Sequence, residues 1–222
     1  MLAPLYFLSY NIYMSYIVGV DEVGRGPLAG PVTVCAVFIK RGIKLKTPNR
    51  KLKLKDSKQL TENQRNEWMK WVREMKKTGK IRYIISHVSP KVIDKINISR
   101  AANLAVERSL VRLYTQNPKI KHAKIFLDGG LFPKKEIMES MGFKTKTVIH
   151  GDTLIPIISL ASVIAKVTRD RKMRKLAITY PEYHFKDNVG YGTKAHIRAL
   201  KKHGYTDIHR LTFIGKFVKM NM

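Results

Sequence analysis

Acidic residues are scarce in this chain, 16 against 43 lysines and arginines in 222 residues, so the positions where they do occur are informative. Four stand where apolar runs end or a helix begins. Asp21 and Glu22 close the run that starts at Tyr16, Asp128 closes Ile125–Asp128, and Asp152 follows Phe143–Ile149 just ahead of Pro156. Ends of neighbouring strands converge, so these four carboxylates can share one site. Like charges a few ångströms apart resist joint ionisation, and a divalent cation relieves that cost. A set of carboxylate oxygens selects a hard ion, Mg2+ or Mn2+. One cysteine and seven scattered histidines offer no zinc spacing. For a lone aspartate an N-cap or a surface salt bridge is the better reading, but the adjacent pair Asp21-Glu22 is harder to dismiss. Consecutive strand residues point to opposite faces, so both reach one site only if the strand breaks beside them, and Gly24 supplies a break. Gly24-Arg25-Gly26 then offers backbone N–H groups that approach a ligand closely, with a guanidinium suited to phosphate.

The elements that must hold these residues follow from the periodicity of the rest. Tyr16–Asp21 and Val32–Ile39 read as two strands of a hairpin. Thr61 with Gln64 forms a capping box for a helix carrying Trp68, Trp71, Val72 and Met75 at core spacing and stopping near Gly79. Arg82–Val88 is a third strand. Ser99 is the expected cap of a helix through Tyr114, with Ala102, Val106, Leu110 and Leu113 on its apolar face and Asn117-Pro118 as its stop. Ile125–Asp128 and Phe143–Ile149 give strands four and five. Pro156 opens a long helix, apolar nearly all round to Val167 and basic from Arg169 to Lys175, and a basic helix runs over Lys194–His203. The fold class is therefore α/β, a mixed five-stranded sheet flanked by helices with a helical C-terminal part. One domain is expected over 16–213, with tails at 1–15 and 214–222. The first twenty residues carry no charge, yet Pro4, Asn11 and Gly19 interrupt them and no basic leader precedes them, so neither a signal peptide nor an anchor is expected. Met14 is a second candidate start, which would leave residues 1–13 as a tail.

A net charge of +27 and a pI near 10.2 imply a polyanionic partner, because a basic surface gains affinity by releasing the counterions of phosphate backbones. A membrane surface is the weaker option. Cys35 lies inside an apolar run, so it reads as a buried small hydrophobe; with no intrachain disulfide available, a reducing cytoplasmic compartment is expected. A non-catalytic RNA-binding protein would explain the charge but not four acids at strand ends. A metal-free ribonuclease would need a paired general acid and base, and the histidine positions suggest no pair.

The string Gly19-Val20-Asp21-Glu22-Val23-Gly24-Arg25-Gly26-Pro27, continuing to Gly30-Pro31, resembles the opening of the type 2 ribonucleases H, the ribonuclease HII family. Asp56-Ser57-Lys58, Ile93-Asp94 with Asn97-Ile98, Asp128-Gly129, Gly151-Asp152, Ala161-Ser162 with Ala165-Lys166-Val167, Arg169-Asp170, Tyr180-Pro181, Gly190-Tyr191-Gly192-Thr193, His196 and His209-Arg210 follow in the family's order. The resemblance covers Tyr16 to Phe213. It implies an RNase H-like fold with Asp21, Glu22, Asp128 and Asp152 as catalytic metal ligands, two divalent ions, and cleavage of the RNA strand of RNA–DNA hybrids. It further implies that Gly24-Arg25-Gly26 bonds a 2′-hydroxyl and adjacent phosphates while Tyr191 stacks on the following deoxy sugar, so that single ribonucleotides in duplex DNA become substrates. Lys58 and Lys166 would hold phosphates. Arg25 argues against the related ribonuclease HIII, which typically has lysine there. Asp170 competes with Asp152 for the fourth role, but at about 1.5 Å per residue it lies about 20 Å along the helix from Pro156, which leaves it a structural pairing with a basic neighbour. Leu160, His150, Asn188 and Val189 depart from the family's usual residues and touch none of the four acids. A monomer is the default, and the tail from Gly215 to Met222 has Phe217 but no glutamine-led sliding-clamp pattern.

Overall fold

The computed structural model describes residues 16–218 apart from 48, 50 and 122. The expected tail at 1–15 lies outside the described residues. Strand β1 (Tyr16–Val23) and strand β2 (Val32–Lys40) form the antiparallel hairpin. In β2, Val32, Val34, Ala36 and Phe38 pack into one apolar cluster and Cys35, Val37 and Ile39 into another. Alternate strand residues face opposite sides, so a run that is apolar at every position requires cover on both faces.

That cover comes from three helices. Helix α1 (Glu62–Lys77) follows a short 3-10 turn at Ser57–Gln59 and starts at the expected capping box, with both reciprocal Thr61–Gln64 bonds formed. Trp68 and Trp71 are buried edge to face, ring centroids 5.5 Å apart, as core residues. Strand β3 (Ile81–Val88) pairs antiparallel with β2 and leads through helix α2 (Pro90–Ile96) to helix α3 (Ile98–Gln116). The cap of α3 is not Ser99. Asn97 takes that place at φ 64, its side chain accepting from the Arg100 amide at 3.0 Å. The chain turns directly from α2 into α3, and this junction puts Asn97 at positive φ with extended ψ.

Strand β4 (Lys124–Asp128), helix α4 (Lys135–Ser140) and strand β5 (Lys144–Val148) complete a sheet of order β3-β2-β1-β4-β5, with β1, β4 and β5 parallel. After the single-turn helix α5 (Gly151–Leu154), the long helix α6 (Pro156–Thr179) crosses the face lined by Cys35, Val37 and Ile39, beside α1, while α3 covers the other. Ile157 to Ala165 are all buried, as their composition requires.

The second half of α6 carries a third cluster. Met173 packs with Leu28, Ala29, Tyr183, Phe185, Ala199, Leu200 and Ile214, joining the loop after β1 to helices α7 (Phe185–Asn188), α8 (Lys194–His203) and α9 (Leu211–Ile214). Ile214 is fully buried, and Phe217 and Val218 pack against the same cluster. Among the described residues no helix is long and apolar enough to cross a membrane.

Candidate active site

The parallel strands β1 and β4 end side by side, and their ends hold the acids. Asp21 pairs in register with Cys35 and Glu22 with Val34, so Asp21 faces α6 and Glu22 faces α3. The strand ends at Val23, just before the break expected at Gly24, but that end lies beyond both acids and does not by itself bring them together. Both acids reach one site for another reason. The β1–β4 ladder stops at Val20–Leu127, and the Glu22 amide donates instead to Asp21 Oδ1 at 2.7 Å, drawing that carboxylate round the strand end. Ligand oxygens of Asp21, Glu22 and Asp128 come within 4.8 Å of one another.

Asp152 stands just outside this trio. Its amide donates to Asp128 Oδ1 at 3.1 Å from the first turn of α5. Gly151 permits that approach, because a Cβ there would lie 2.6 Å from Ile158 Cδ1 and 3.2 Å from Asp128 Oδ1.

The electrostatics are those of a site short of positive charge. Burial, then the charges of Glu22 and Asp128, holds Asp21 well above the usual carboxylate range, against the pull of hydrogen bonds from Ser162 and the Glu22 amide. Burial also raises Glu22; Arg25 opposes that, and Asp128 adds to it. Asp152 is raised by burial and by Asp128 and Asp56, with Lys58 acting against them. Arg25 meets Glu22 Oε1 at 3.3 Å, whereas Glu22 Oε2 is buried without a partner among the described residues. An orphaned anionic oxygen amid raised carboxylates fits a hard divalent cation, and Asp21, Glu22 and Asp128 are the residues placed to hold one.

A cleft of about 310 Å³ surrounds the acids, and every candidate from the sequence lines it: Asp21, Glu22, Asp128, Asp152, Gly24, Arg25, Gly26, Lys58, Lys166 and Tyr191. Tyr191 is 41% exposed, and a Cβ on Gly26 would lie 3.9 Å from its Cε1, so ring and loop are neighbours. Arg25 is held between Glu22 and Ser99, whose Oγ is 2.9 Å from Nη2. Lys166 pairs with Asp170 at 2.9 Å, which gives Asp170 the structural partner expected of it.

Sequence reasoning gave no role to the residues that hold this cleft in shape. The Ser162 and Ser57 hydroxyls share a hydrogen bond of 2.8 Å beside Asp21. Two fully buried arginines grip the loop after β1 by its carbonyls. Arg169 donates to Pro31, Ala29 and Val189, and Arg210 to Gly30, Arg25 and Gly24, at 2.6 to 3.1 Å. Gly24 itself sits at φ +89 with no room for a Cβ against Arg169. These arginines stood in motifs already noted, but in so basic a chain an arginine carries no signal of its own.

A five-stranded mixed sheet whose parallel strand ends gather carboxylates beside a basic loop defines a metal-dependent nuclease of the ribonuclease H kind. The family model described as Ribonuclease HII matches residues 18–216. The ribonuclease HII of Pelagibacter ubique is 42% identical over 200 residues, covering 90% of this chain and 96% of that one, and the enzyme of Clostridium beijerinckii is 41% identical over 203 residues, covering 91% and 69%. The crystal structure of the ribonuclease H2 from Pyrococcus horikoshii superposes with a TM-score of 0.67 at 28% identity, covering 92% of this chain and all (100%) of that one. The chain belongs to the ribonuclease HII family, and its activity is that of a ribonuclease H, an endonuclease acting on the RNA of RNA–DNA hybrids.

Proposed function

We propose that this cleft, beyond cutting hybrids, nicks duplex DNA on the 5′ side of a single embedded ribonucleotide and leaves 5′-phosphate and 3′-hydroxyl ends. The observation that carries the reading is the convergence of Asp21, Glu22 and Asp128 in one cleft with the Gly24–Gly26 loop and Tyr191. Asp21, Glu22 and Asp128, with Asp152 at the rim, are the proposed ligands of two divalent ions, Mg2+ or Mn2+. When bound, such ions supply an activated water and stabilise the departing 3′ oxygen.

The rest of the work falls to the chain's own groups. Backbone amides at Gly24–Gly26 bond the 2′-hydroxyl, the atom that separates RNA from DNA at one nucleotide. Tyr191, ring exposed beside Gly26, stacks on the deoxy sugar that follows. Lys58, exposed at the cleft mouth, and Lys166 hold phosphates without reading sequence. Arg25 buffers Glu22 and presents what remains of its charge to the strand. The expected setting is the cytoplasm. The RNase HII of the PCNA:RNase HII complex from Archaeoglobus fulgidus has this fold at 23% identity and a TM-score of 0.67, whereas Phe217 here packs against the C-terminal cluster.

The test is a DNA duplex carrying one ribonucleotide, incubated with Mg2+ or Mn2+. The expected product is a single nick 5′ to that residue, and no cleavage with either ion sinks the proposal. Asp128→Asn should keep duplex affinity and lose turnover; equal turnover would remove Asp128 from the ligand set.

A further inference from the structure

Two buried histidines in the C-terminal part have no place in the chemistry above. His196 in α8 is 0% exposed and His209 is 2% exposed, with their Nε2 atoms 3.1 Å apart. A buried polar pair needs every hydrogen-bonding atom accounted for, and here the accounting has one solution. The Thr206 amide points at His209 Nδ1 at 3.0 Å, so that nitrogen accepts and the His209 proton sits on Nε2. His209 Nε2–H then donates to His196 Nε2. The His196 proton is thereby placed on Nδ1, which donates to the Tyr191 carbonyl at 2.9 Å.

The two ends of this chain of bonds are what distinguish it from an ordinary buried pair. One end is the backbone of Tyr191, in the cleft. The other lies in the segment 206–210, which also holds the opposite wall: Ile208 O accepts from Gly30 N at 2.8 Å, Arg210 N donates to Leu28 O at 2.8 Å, and the Arg210 side chain grips Gly24 and Arg25. One short segment therefore sets the position of both the glycine loop and Tyr191. An added proton on either ring would put two N–H groups face to face or oppose the Thr206 amide, and burial lowers the proton affinity of both rings.

We infer that His209 and His196 form a positioning relay, in which His209 fixes the tautomer of His196 whose Nδ1–H holds Tyr191 beside the Gly24–Gly26 loop, and that this bond sets the preference for an RNA–DNA junction over a continuous RNA tract. The inference rests on the reading of Tyr191 and the loop as the substrate-sensing pair. Neither histidine touches substrate.

The experiment compares His196→Asn, whose Nδ2 takes the place of Nδ1 and keeps the bond to Tyr191, with His196→Gln, which reaches His209 but loses that bond. Protein carrying 3-fluorotyrosine reports Tyr191 by 19F NMR, its line assigned by loss in Tyr191→Phe. The expected result is a shifted or broadened Tyr191 line in His196→Gln but not in His196→Asn. Junction preference, the ratio of kcat/KM values on the two substrates, should fall roughly 5-fold in His196→Gln alone, the equivalent of one neutral hydrogen bond. An unmoved Tyr191 line in His196→Gln, or equal effects in both variants, overturns the relay. If neither variant folds, two-bond 15N spectra of the wild type still decide: His209 as the Nε2–H tautomer and His196 as the Nδ1–H tautomer support the relay, and any other pairing overturns it. Tyr191→Ala, run alongside, separates the two failures, because an unchanged ratio there refutes the role of Tyr191 while the 19F and 15N readouts continue to judge the relay.

Discussion

Replacing Asp21 by asparagine should make the metal-free protein more stable while removing its activity. Asp21 is 4% exposed and its ligand oxygen lies within 4.8 Å of those of Glu22 and Asp128. Two unit charges at that separation repel by about 3.5 kcal/mol at an effective dielectric constant of about 20. Arg25 and partial protonation already relieve some of this, so the expected gain for Asp21→Asn is about 2 kcal/mol, or roughly 4–8 °C in Tm for a chain of this size. Asparagine keeps an acceptor for the Glu22 amide and adds donors facing the neighbouring carboxylates. Because the Asp21 carboxyl is raised in the folded state, the native protein binds more protons than the unfolded chain from the ordinary value of 3.8 up to the raised one. Stability therefore falls as pH rises through that window, and the advantage of Asp21→Asn should shrink in acid, where protonation neutralises the wild type too. Thermal melts in EDTA and in Mn2+, at neutral and mildly acidic pH, measure all of this. Metal should add about 2.7 kcal/mol to the wild type at a hundredfold excess over its dissociation constant and little to the variant, and turnover should fall at least about a hundredfold. A lower metal-free Tm for Asp21→Asn, or a metal-induced gain equal to that of the wild type, would refute the reasoning.

Arg210→Lys cannot serve three carbonyls in one plane, and leaving buried acceptors unpaired should cost about 3–5 kcal/mol, read as a lower urea midpoint together with weaker binding of junction substrates; a midpoint within error of wild type would contradict the clamp. His209 is lowered to about 4 from 6.5, by burial first and then by the charge of His196. Its folded value lies below the unfolded one, so its contribution is complete above pH 6.5 and lost as pH falls, about 3 kcal/mol by pH 4. Tyr183 and Phe185 pack against both rings, His184 acts on His196 in the same direction as burial, and Asp207 partly opposes the shift of His209. The difference between wild type and His209→Gln across pH 7 to 4 isolates this contribution, since His87, also lowered to about 4, cancels in the subtraction; parallel stability curves would argue against it.

The elements legible in the sequence were those long enough to repeat a period. Val32 to Ile39 announced a strand covered on both faces, and Ile157 to Val167 a buried helix, because burial on all sides leaves few polar positions, here Thr33, Ser159, Ser162 and Lys166. Helices α2, α4, α5 and α7, of one or two turns, offer too few positions for a period to register. Ser99 looked like a cap because capping chemistry is local, whereas the positive-φ turn at Asn97 is imposed by the abrupt junction with α2. The acids and the glycine loop stood out by type against a basic background. Their supports did not: Ser57, Ser162, Arg169, Arg210 and the two histidines act through bonds to backbone or to residues far away in sequence. Even for Asp21 and Glu22 the convergence was readable and its cause was not, since where the β1–β4 ladder ends is a property of two strands.

The grip of Arg210 on Gly24 spans 186 residues. A chain leaving the ribosome can pair β1 with β2 early, but the loop between them has only the clamp of Arg169, on Ala29 and Pro31, until the segment 206–210 has emerged. Asp21 and Glu22 are thus translated well before Asp128 and Asp152, and the loop beside them takes its full grip only after all four. A ribosome that stalls or terminates just before Arg210 would release a sheet with its carboxylates present and Gly24 and Arg25 unheld. Selective use of the site is in this way tied to synthesis of the segment that carries Arg210, a safeguard of some value for an enzyme that cuts a nucleic acid backbone.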